Sequence, residues 1–374
     1  MMAYNSERDE EHKIFIELQN YLQDTSAPEH IVQLLDNYKK LILKGNCDFT
    51  SLIYTESIET EMSNGSAVIT RQDDYCIEGK VNLSHQLIEG ENLAALTYLN
   101  NEYRGEIDVI CIDPPYNTGM SELIYSDHLL TCPGDINPHN IWLSFMKKRL
   151  DIAYELLSDS GVLFINIDEH EIANLLLLCN NIFGEANTDV LIWPKTDPLF
   201  DENRVEKPYD KIKITHEYVI VCFKNKLGTS LNKMKMPIWI NEEYTEESKD
   251  METILKGLGT TSSAKDELSE LFGSRDTFST PKPRKLIKEL VRAASHSKSI
   301  VLDFFAGSGT TAVAVSDLNK EDGGERKCIL VTNNENDICK TITFERLKFT
   351  KTKEDFKEGI EYYIVEIQPF HQDK

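Results

Sequence analysis

The sequence lacks the features that mark several common classes of protein. Its eight cysteines are scattered and form no C-x-x-C pair, so neither a zinc site nor a redox motif is predicted, and no metal is expected. No apolar run approaches the roughly 18 to 20 residues that a membrane span needs. The N-terminal segment is charged, which argues against a secretory signal. The sequence therefore predicts a cytoplasmic protein with reduced thiols and no membrane contact.

The chain also lacks positive charge, with a formal net charge of −23. Neutralisation of phosphates by Lys and Arg supplies most non-specific affinity for nucleic acids, so the composition opposes a simple nucleic-acid-binding module. The charge is uneven, because residues 191–240 carry nine Lys or Arg but six Asp or Glu. A DNA-contacting surface could therefore be local, or shared with a partner subunit. The alternative is that these lysines form a solvated face.

Hydrophobic periodicity divides the chain into four parts. Residues 1–85 are predicted to be an N-terminal helical extension, because apolar residues recur at helical spacing between residues 31 and 42. Thereafter short β-branched runs alternate with helical stretches, which is typical of a doubly wound, mostly parallel α/β sheet. An apolar stripe between residues 142 and 157 predicts one of these helices. Strands are also expected at 191–194 and 217–223, which could pair antiparallel, and a last strand at 362–367. A shift to Lys, Glu, Ser, Thr and Gly predicts a small inserted lobe at 225–275. Residues 86–224 and 276–374 are then two halves of one domain.

The first chemical motif is Asp113-Pro-Pro-Tyr116, which follows a predicted strand and precedes Asn117. Open α/β sheets bind ligands at the carboxyl ends of their strands. An aromatic amine attacks well only when hydrogen-bond acceptors localise its lone pair. The Asp113 carboxylate and the Pro114 carbonyl, held rigid by proline, can be those acceptors. Tyr116 can stack on a base flipped out of a duplex. The motif predicts chemistry on a base amine; the alternative is a structural proline turn.

The second motif, Asp303-Phe-Phe-Ala-Gly-Ser-Gly-Thr-Thr311, follows another predicted strand and opens a helix. Its glycines permit a tight turn and let a ligand approach the backbone. The motif lacks the lysine of a phosphate-binding loop, so ATP binding is disfavoured. Glu335 follows the next predicted strand, where an acidic side chain can accept hydrogen bonds from ribose hydroxyls. These features predict a nucleoside-containing cofactor, with a nicotinamide dinucleotide as the alternative.

With both motifs in hand, the chain resembles the beta class (N6/N4 type) of DNA amino-methyltransferases, in which D-P-P-Y precedes F-x-G-x-G. More narrowly, it resembles the modification (Mod) subunit of type III restriction-modification systems. The resemblance covers residues 86–348 and implies a seven-stranded, Rossmann-like, S-adenosyl-L-methionine-dependent methyltransferase sheet with circularly permuted motif order. It also implies that residues 225–275 recognise the target, although Mod proteins usually carry a larger region. The matching stretches are LIEGENLAALTYL, DVICIDPPYNTG, WLSFMKKRLDIAYELLSDSGVLFINIDEHE, THEYVIVCFKN, FSTPKPRKLI, VLDFFAGSGTTAVAV and LNKEDGGERKCILVTNNENDIC.

The resemblance implies roles for individual residues. Lys282 is implied to bind the carboxylate at the methionine end of the cofactor. His216 and Glu217 match the motif beside the target-base pocket, with a structural role at the strand edge as an equal alternative. Glu169 and His170 are expected to cap a helix. The implied residues are Asp113, Pro114, Pro115 and Tyr116 for catalysis, Asp303, Phe304, Phe305, Ala306, Gly307, Gly309, Thr310, Glu335, Thr280 and Lys282 for the cofactor, and Asn117, His216 and Glu217 for the base pocket.

The expected function is therefore site-specific methylation of adenine N6 in DNA, by base flipping, in a type III-like restriction-modification system. The expected partners are DNA, a second copy of the chain in a homodimer, and a restriction or other specificity subunit. Three alternatives stay open: methylation of cytosine N4, methylation of RNA or protein, and a regulatory subunit that binds the cofactor without catalysis. The acidity of the chain favours the last of these, and its intact motifs oppose it.

Overall fold

A mixed sheet with parallel central strands forms the core of the part of the protein that the structure describes. The computed structural model describes residues 65–118, 138–196, 212–240, 243–278 and 280–369, so the helix predicted between residues 31 and 42 lies outside it. The strands, in chain order, are β1 (Gly65–Arg71), β2 (Ser84–Glu89), β3 (Ile107–Ile112), β4 (Leu157–Ile167), β5 (Thr188–Pro194), β6 (His216–Phe223), β7 (Met234–Ile240), β8 (Glu243–Lys249), β9 (Ile300–Asp303), β10 (Lys327–Thr332) and β11 (Gly359–Pro369).

Seven α-helices accompany these strands in the described residues, and none of them is long and apolar enough to cross a membrane. The chain divides into two compact units, Met1–Thr60 with Leu129–Phe145 and Glu61–His128 with Met146–Lys374. The described part of the first unit is residues 138–145, the beginning of α2. The helices are α1 (Asn92–Tyr103), α2 (Pro138–Leu156), α3 (Ile172–Phe183), α4 (Thr261–Phe272), α5 (Arg284–Ala294), α6 (Thr310–Asp322) and α7 (Glu345–Glu354).

The order of strands in the large sheet is β1-β11-β2-β10-β9-β3-β4-β6-β5. From β9 the chain passes through α6 to β10 on one side, and from β3 it passes through α2 to β4 on the other. Because parallel crossovers are right-handed, these opposite moves place α6 and the last turns of α2 on opposite faces of the sheet. The direction therefore reverses between β9 and β3, where doubly wound sheets bind ligands. The predicted doubly wound, mostly parallel α/β fold is confirmed.

The central strands are buried on both faces. Val162, Leu163, Phe164 and Ile165 are consecutive and fully buried in β4, although successive side chains in a strand point to opposite faces. The same continuous burial holds along β3, β9 and β10. This pattern is typical of parallel strands covered by helices on both sides, and it explains why these segments read as unbroken apolar runs.

The sheet has nine strands instead of the expected seven, because β11 and β1 extend it beyond β2. β11 pairs in parallel with β2, and β1 pairs antiparallel with β11. The last strand predicted at 362–367 is confirmed as part of β11. The expected helical extension is wrong for residues 65–85, which form β1, a 3-10 turn at Asp73–Tyr75 and the start of β2. The run Ala-Val-Ile-Thr in β1 is rich in β-branched residues, which favour strands.

The two strands predicted near residues 191 and 217 are also confirmed, because β5 and β6 pair antiparallel. β6 also pairs antiparallel with β4, so it lies between two strands that run opposite to it. This arrangement brings the start of β6, with His216 and Glu217, to the same edge of the sheet as the end of β4. Two residues that are remote from the D-P-P-Y motif in sequence thereby reach the carboxyl ends of the parallel strands.

Residues 225–275 contain a two-stranded antiparallel sheet, β7 with β8, and the helix α4. The hairpin is fastened to the main domain, because the backbone amide of Lys235 donates to Glu289 Oε2 at 2.6 Å and its ammonium lies 3.1 Å from Glu321 Oε2. Met234 and Met236 are buried in the main hydrophobic core. The hairpin is therefore packed onto α5 and α6.

Leu302, in the middle of β9, provides a test of this core. Leu302→Ala is expected to lower the free energy of unfolding by about 2–5 kcal/mol, because it removes buried methyl groups and leaves a cavity. Leu227→Ala is the matched control, since Leu227 is fully exposed and should change stability by less than about 0.5 kcal/mol. Urea unfolding followed by circular dichroism measures both values. Equal effects of the two substitutions would contradict the placement of β9.

Candidate functional site

Two carboxylates lie at the ends of neighbouring parallel strands. Asp113 directly follows β3 and Asp303 ends β9, and the two strands pair in parallel through Val109 with Val301. The side chains come from positions 190 residues apart in the sequence. Parallel pairing puts their carboxyl ends at one edge of the sheet, as the two motifs predicted. The negative charge of Asp113 is close enough to disfavour ionisation of Asp303.

Asp113 is held by two hydrogen-bond donors. The Tyr116 hydroxyl lies 2.7 Å from Asp113 Oδ1 and 3.2 Å from Glu217 Oε2. The Lys282 ammonium donates to Asp113 Oδ2 at 2.9 Å and lies 3.3 Å from Glu217 Oε2. Lys195 lies 3.4 Å from the other oxygen of Glu217. These five residues form one network of two carboxylates, two ammonium groups and a phenol, named here the Asp113 cluster.

Burial and charge act in opposite directions on the acids of this cluster. Burial raises the pKa of Asp113, although the Lys282 ammonium opposes that rise. Burial also disfavours ionisation of Glu217, but Lys282 and Lys195 together outweigh it and lower the pKa of that carboxyl. For Tyr116, burial and then the charges of Asp113 and Glu217 raise the pKa well above its usual value. Tyr116 therefore remains a protonated donor.

Asn117 fixes the turn that follows the D-P-P-Y motif. Its backbone adopts a φ of 59°, in the left-handed region that asparagine tolerates. Its amide donates to Glu171 Oε1 at 2.6 Å, and Asn174 donates to the other oxygen of Glu171 at 2.8 Å. Glu171 is fully buried and stands at the N-cap of α3. Asn117, expected in the base pocket, thus ties the turn after the D-P-P-Y motif to α3.

The expected capping role of Glu169 and His170 is wrong. The residue at the N-cap of α3 is Glu171, whose side chain makes no capping bond. The His170 amide donates to Asp168 Oδ1 at 2.9 Å, and its ring Nδ1 lies 3.0 Å from Asp168 Oδ2. Asp168 directly follows β4 and orders the turn locally, three residues before the N-cap of α3. Among the described residues, Asp168, Glu169 and His170 offer three metal-ligand atoms within 4.8 Å of one another.

The glycine-rich turn after β9 is shaped by Asp303. Its Oδ1 accepts the Phe305 amide at 3.0 Å and its Oδ2 accepts the Thr311 hydroxyl at 2.5 Å. Burial raises the pKa of Asp303 to about 7, although both hydrogen bonds favour the carboxylate. Gly307 and Gly309 have φ values of 48° and 77°, which residues with a side chain rarely adopt. The expected turn for close approach of a ligand is therefore present.

A second set of hydrogen-bonded polar residues, from α1 and α2, supports the same turn. The Asn92 amide donates to the carbonyl of Phe304 at 3.0 Å, and its oxygen accepts Arg149 Nε at 2.5 Å. Arg149 is buried and also donates to Glu91, which caps the N-terminus of α1. None of these three residues was predicted from the sequence to belong to the site. The available signal was the arginine itself, because Arg149 interrupts an apolar stripe beside Leu150 on a predicted amphipathic helix.

Arg346, on α7, also supports this turn, and its role was not predicted from the sequence either. Its guanidinium donates to the Ser308 carbonyl at 3.2 Å and to the Thr310 hydroxyl at 2.7 Å. It also donates to Glu267 on α4 at 2.7 Å, and its side chain is only 1% exposed. Because Arg346 and Glu267 are far apart from the motif in sequence, no local pattern links them to it. The Leu268 side chain of α4 packs in a small hydrophobic cluster with Phe278, Ile338 and Ile342.

The other expected residues lie near the same edge but differ in surroundings. Thr280 and Glu335 are exposed, and Glu335 begins a 3-10 turn three residues after β10. His216 is half-buried, with its ring 3.1 Å from the Tyr218 hydroxyl and edge-on to that ring. Lys282 is brought to Asp113 and Glu217. Glu217 thus contacts residues of the D-P-P-Y motif directly, whereas His216 contacts a strand neighbour.

The residues around the glycine-rich turn fit a positively charged nucleoside better than a polyphosphate. The turn from Phe304 to Thr310 contains no Lys or Arg, and Asp303 borders it. Arg346 is turned toward backbone, hydroxyl and carboxylate partners of its own. A nucleoside triphosphate would therefore meet the Asp303 carboxyl without the lysine that a phosphate-binding loop supplies. A group with ribose hydroxyls and positive charge suits these acids and the open backbone of the glycines.

Comparisons with known proteins identify related sequences. A family model described as DNA methylase, of N6/N4 type, matches residues 107–366. The StyLTI Mod subunit of a type III restriction-modification enzyme from Salmonella typhimurium is 30% identical, over 67% of this chain and 52% of its own length. The EcoPI Mod subunit from Escherichia phage P1 is 28% identical, over 69% and 59%. The type II methyltransferase M.KpnI from Klebsiella pneumoniae is 29% identical, over 72% and 85%. The chain thus spans about half the length of the two Mod subunits.

The raised pKa of Asp303 predicts a pH-dependent stability. Between the usual value of 3.8 and the folded value of about 7, the folded state holds a proton that the unfolded chain releases. The contribution of Asp303 to the free energy of unfolding therefore falls as pH rises through this window, by about 1.4 kcal/mol per unit. Asp303→Asn keeps the shape and removes the titration, so its stability should depend less steeply on pH between 4 and 7.

Chemical denaturation of the ligand-free protein at several pH values measures this slope. Asp322→Asn is the matched control, because Arg326 lowers the pKa of Asp322 and its titration falls below the window. The control should retain the slope of the unsubstituted protein. An Asp303→Asn variant with that same slope would show that Asp303 is not a buried, protonated acid at the lower end of this range.

Proposed function

The chain belongs to the N6/N4 DNA methylase family, and from this premise we propose that it transfers a methyl group from S-adenosyl-L-methionine to adenine N6 in DNA. One observation carries the proposal: the Asp113-Pro114-Pro115-Tyr116 turn and the glycine-rich turn after Asp303 end neighbouring parallel strands. An acceptor for an amine therefore stands beside a turn suited to a nucleoside cofactor. Both groups needed for transfer to a base are held by one edge of the sheet.

Three residues of the D-P-P-Y motif recognise the amine and its base: Asp113, Pro114 and Tyr116. The Asp113 carboxylate and the Pro114 carbonyl accept the two N–H groups, which draws the nitrogen lone pair out of the ring system. Tyr116 supplies an aromatic face for the flipped base, and its hydroxyl, bonded to Asp113, keeps the ring oriented. When bound, the cofactor supplies a methyl group on a positively charged sulfur that is reactive enough to need no strong base. Positioning and electrostatics then carry the rate.

The cofactor would be held by the turn after β9 and its neighbours. The backbone from Phe304 to Thr310, including Phe305, Ala306, Gly307 and Gly309, would approach it closely, and Glu335 would accept from ribose hydroxyls. Thr280 is proposed near its methionine end. Asn92 and Arg346 act on the cofactor through the turn, because they hold the Phe304 carbonyl and the Ser308 carbonyl in place.

Within residues 225–275 we assign target recognition to the hairpin of β7 and β8 and exclude α4 from it. Helix α4 is bound to the cofactor half, because Glu267 pairs with Arg346 and Leu268 joins the cluster with Phe278. The hairpin is anchored to the domain by Lys235 and by the buried Met234 and Met236, whereas residues 245–248 of β8 are exposed. A recognition region of this size suits a short target sequence or one read together with another subunit.

The charge of the chain supports a second subunit in DNA binding. Three of the basic residues between 191 and 240 are already paired with acids, because Lys195 contacts Glu217, Lys226 contacts Asp189 and Lys235 contacts Glu321. The local positive excess is thus partly neutralised within the fold, and affinity for phosphates must come partly from elsewhere. We propose a homodimer or a restriction-type or specificity partner, in the cytoplasm, where the six described cysteines, all unpaired, would stay reduced.

Transfer of labelled methyl groups to unmethylated genomic DNA tests the function. The expected product, after digestion to nucleosides, is N6-methyladenine. Asp113→Asn should lower the rate by about 10²-fold or more, because it removes the charged acceptor while keeping the size of the side chain. Asp322→Asn, a substitution at the far end of α6, is the matched control and should retain activity.

Other products would contradict parts of the proposal. N4-methylcytosine would replace adenine by cytosine as the target, and methylated RNA or protein would replace the polymer. Cofactor binding without transfer to any DNA would favour the regulatory alternative. Methylation that persists in Asp113→Asn at the unsubstituted rate would remove Asp113 from the reaction.

The two glycines that flank α6 test the cofactor turn. Gly309 begins the helix and Gly323 follows it, and both have positive φ. A Cβ at Gly309 would lie 3.1 Å from Thr343 Cγ2, whereas one at Gly323 would meet nothing within 4 Å. Gly309→Ala should therefore displace the turn and weaken S-adenosyl-L-methionine binding by about tenfold, if the displacement costs about 1.4 kcal/mol. Gly323→Ala carries the same backbone strain and should leave the affinity unchanged. Isothermal titration calorimetry measures both, and equal affinities would contradict the assignment.

A further inference from the structure

Lys282 occupies the position that the proposed function assigns to the target amine. Its ammonium lies 2.9 Å from Asp113 Oδ2 and 4.9 Å from the centre of the Tyr116 ring. It also lies 5.9 Å from the centre of the Trp193 ring. The Lys282 side chain is only 6% exposed, so this ammonium is enclosed. A positively charged N–H donor thus rests between a carboxylate and an aromatic face, the two groups that must bind an amino-purine.

Asp113 needs a positive neighbour to remain an acceptor in this place. The charged and titratable groups that face it are Lys282 from the segment before α5, Tyr116 from its own turn, Glu217 from β6 and Asp303 from β9. Two of these groups are acids, and burial already raises the pKa of Asp113. Lys282 supplies the opposing positive charge. A protonated Asp113 would offer a donor in place of one acceptor and could not localise the lone pair of an amine.

Glu217 offers the ammonium a second partner close by. Lys282 is 3.3 Å from Glu217 Oε2, and Glu217 is further compensated by Lys195 at 3.4 Å. A small rotation of the lysine toward Glu217 would clear the Asp113 oxygen without leaving a buried ammonium unpaired, which would be costly. Glu217 has a lowered pKa, so it stays charged to receive the lysine. A move of the ammonium from Asp113 toward Glu217 would therefore keep Lys282 paired with a carboxylate.

We infer that Lys282 is a positioning residue that keeps Asp113 an ionised acceptor while no base is bound and gives up its place to the target amine. This inference rests on the proposed function for the identity of the amine. It differs from the expected role of Lys282 as a ligand of the cofactor carboxylate. The two roles separate experimentally, because one acts on Asp113 in the ligand-free protein and the other requires the cofactor.

The direct test is the titration of Asp113 without cofactor or DNA. Carboxyl 13C NMR follows the side chain, with the Asp113 signal identified by its loss in Asp113→Asn. In Lys282→Met, which keeps the length and removes the charge, the midpoint should move to higher pH. Lys195→Met is the matched control, because Lys195 belongs to the same cluster but contacts Glu217. Its effect on the Asp113 midpoint should be much smaller. An unchanged midpoint in Lys282→Met overturns the inference.

The pH dependence of methyl transfer provides the second readout. Lys282→Met should lose activity at neutral pH, about tenfold for each unit by which the Asp113 midpoint exceeds the assay pH, and regain it as pH rises. Lys282→Arg should restore the profile, since it returns the charge. A uniform loss at every pH with no recovery contradicts the inference. Thermal unfolding shows whether each variant is folded, and Lys282→Gln serves if Lys282→Met is not.

Two further outcomes separate the inference from its premise. If Lys282→Met weakens S-adenosyl-L-methionine binding in calorimetry and leaves the Asp113 titration unchanged, Lys282 belongs to the cofactor and the inference is overturned. If the unsubstituted protein methylates no DNA, the proposed function fails. In that case a shifted Asp113 midpoint in Lys282→Met still supports the electrostatic role of Lys282, and an unshifted one refutes it.

Discussion

The parallel pairing of β3 with β9 is the constraint on which the site depends. It joins two segments whose motifs are 190 residues apart, and it places Asp113 and Asp303 at one edge of the sheet. Because the crossovers leave β3 and β9 in opposite directions, helices cover opposite faces and the edge between them stays open to a ligand. The order of the two motifs in the chain is immaterial to this geometry. A permuted sequence can build the same site because pairing, and not sequence order, sets the neighbours.

Electrostatic compensation is the second constraint, since the site gathers carboxylates in a protein that is already strongly acidic. Lys282 contacts both Asp113 and Glu217, and Lys195 contacts Glu217. Asp303, in contrast, is stabilised partly by protonation. The two aspartates at the strand ends are therefore stabilised in different ways. Asp113, the proposed charged acceptor, has the Lys282 ammonium beside it, whereas Asp303 shapes a turn through hydrogen bonds that also tolerate a neutral acid. The difference follows from what each carboxyl contacts.

The sequence allowed prediction of the elements that depend on local pattern. The strands before Asp113 and Asp303, the antiparallel pair β5 and β6, and the last strand β11 were all evident from apolar runs and turn residues. The strand β1 was not, because its place in the sheet depends on pairing with β11 at the opposite end of the described chain. The contact of Lys282 with Asp113 could not be predicted from the sequence either. It depends on how the segment before α5 lies across the sheet, and the motif around Lys282 pointed to the cofactor instead.

The support of the glycine turn shows the same separation between local and long-range information. The turn is recognisable from its glycines, yet its conformation is held by Arg346, Asn92 and Asp303, which come from three separate elements. Arg346 is buried, so its pairing with Glu267 is needed to avoid an uncompensated charge. That need binds α4 to the cofactor half, although composition alone groups α4 with the inserted lobe. The boundary proposed between recognition and cofactor binding therefore rests on one buried charge pair, and a change of composition along the chain does not locate it.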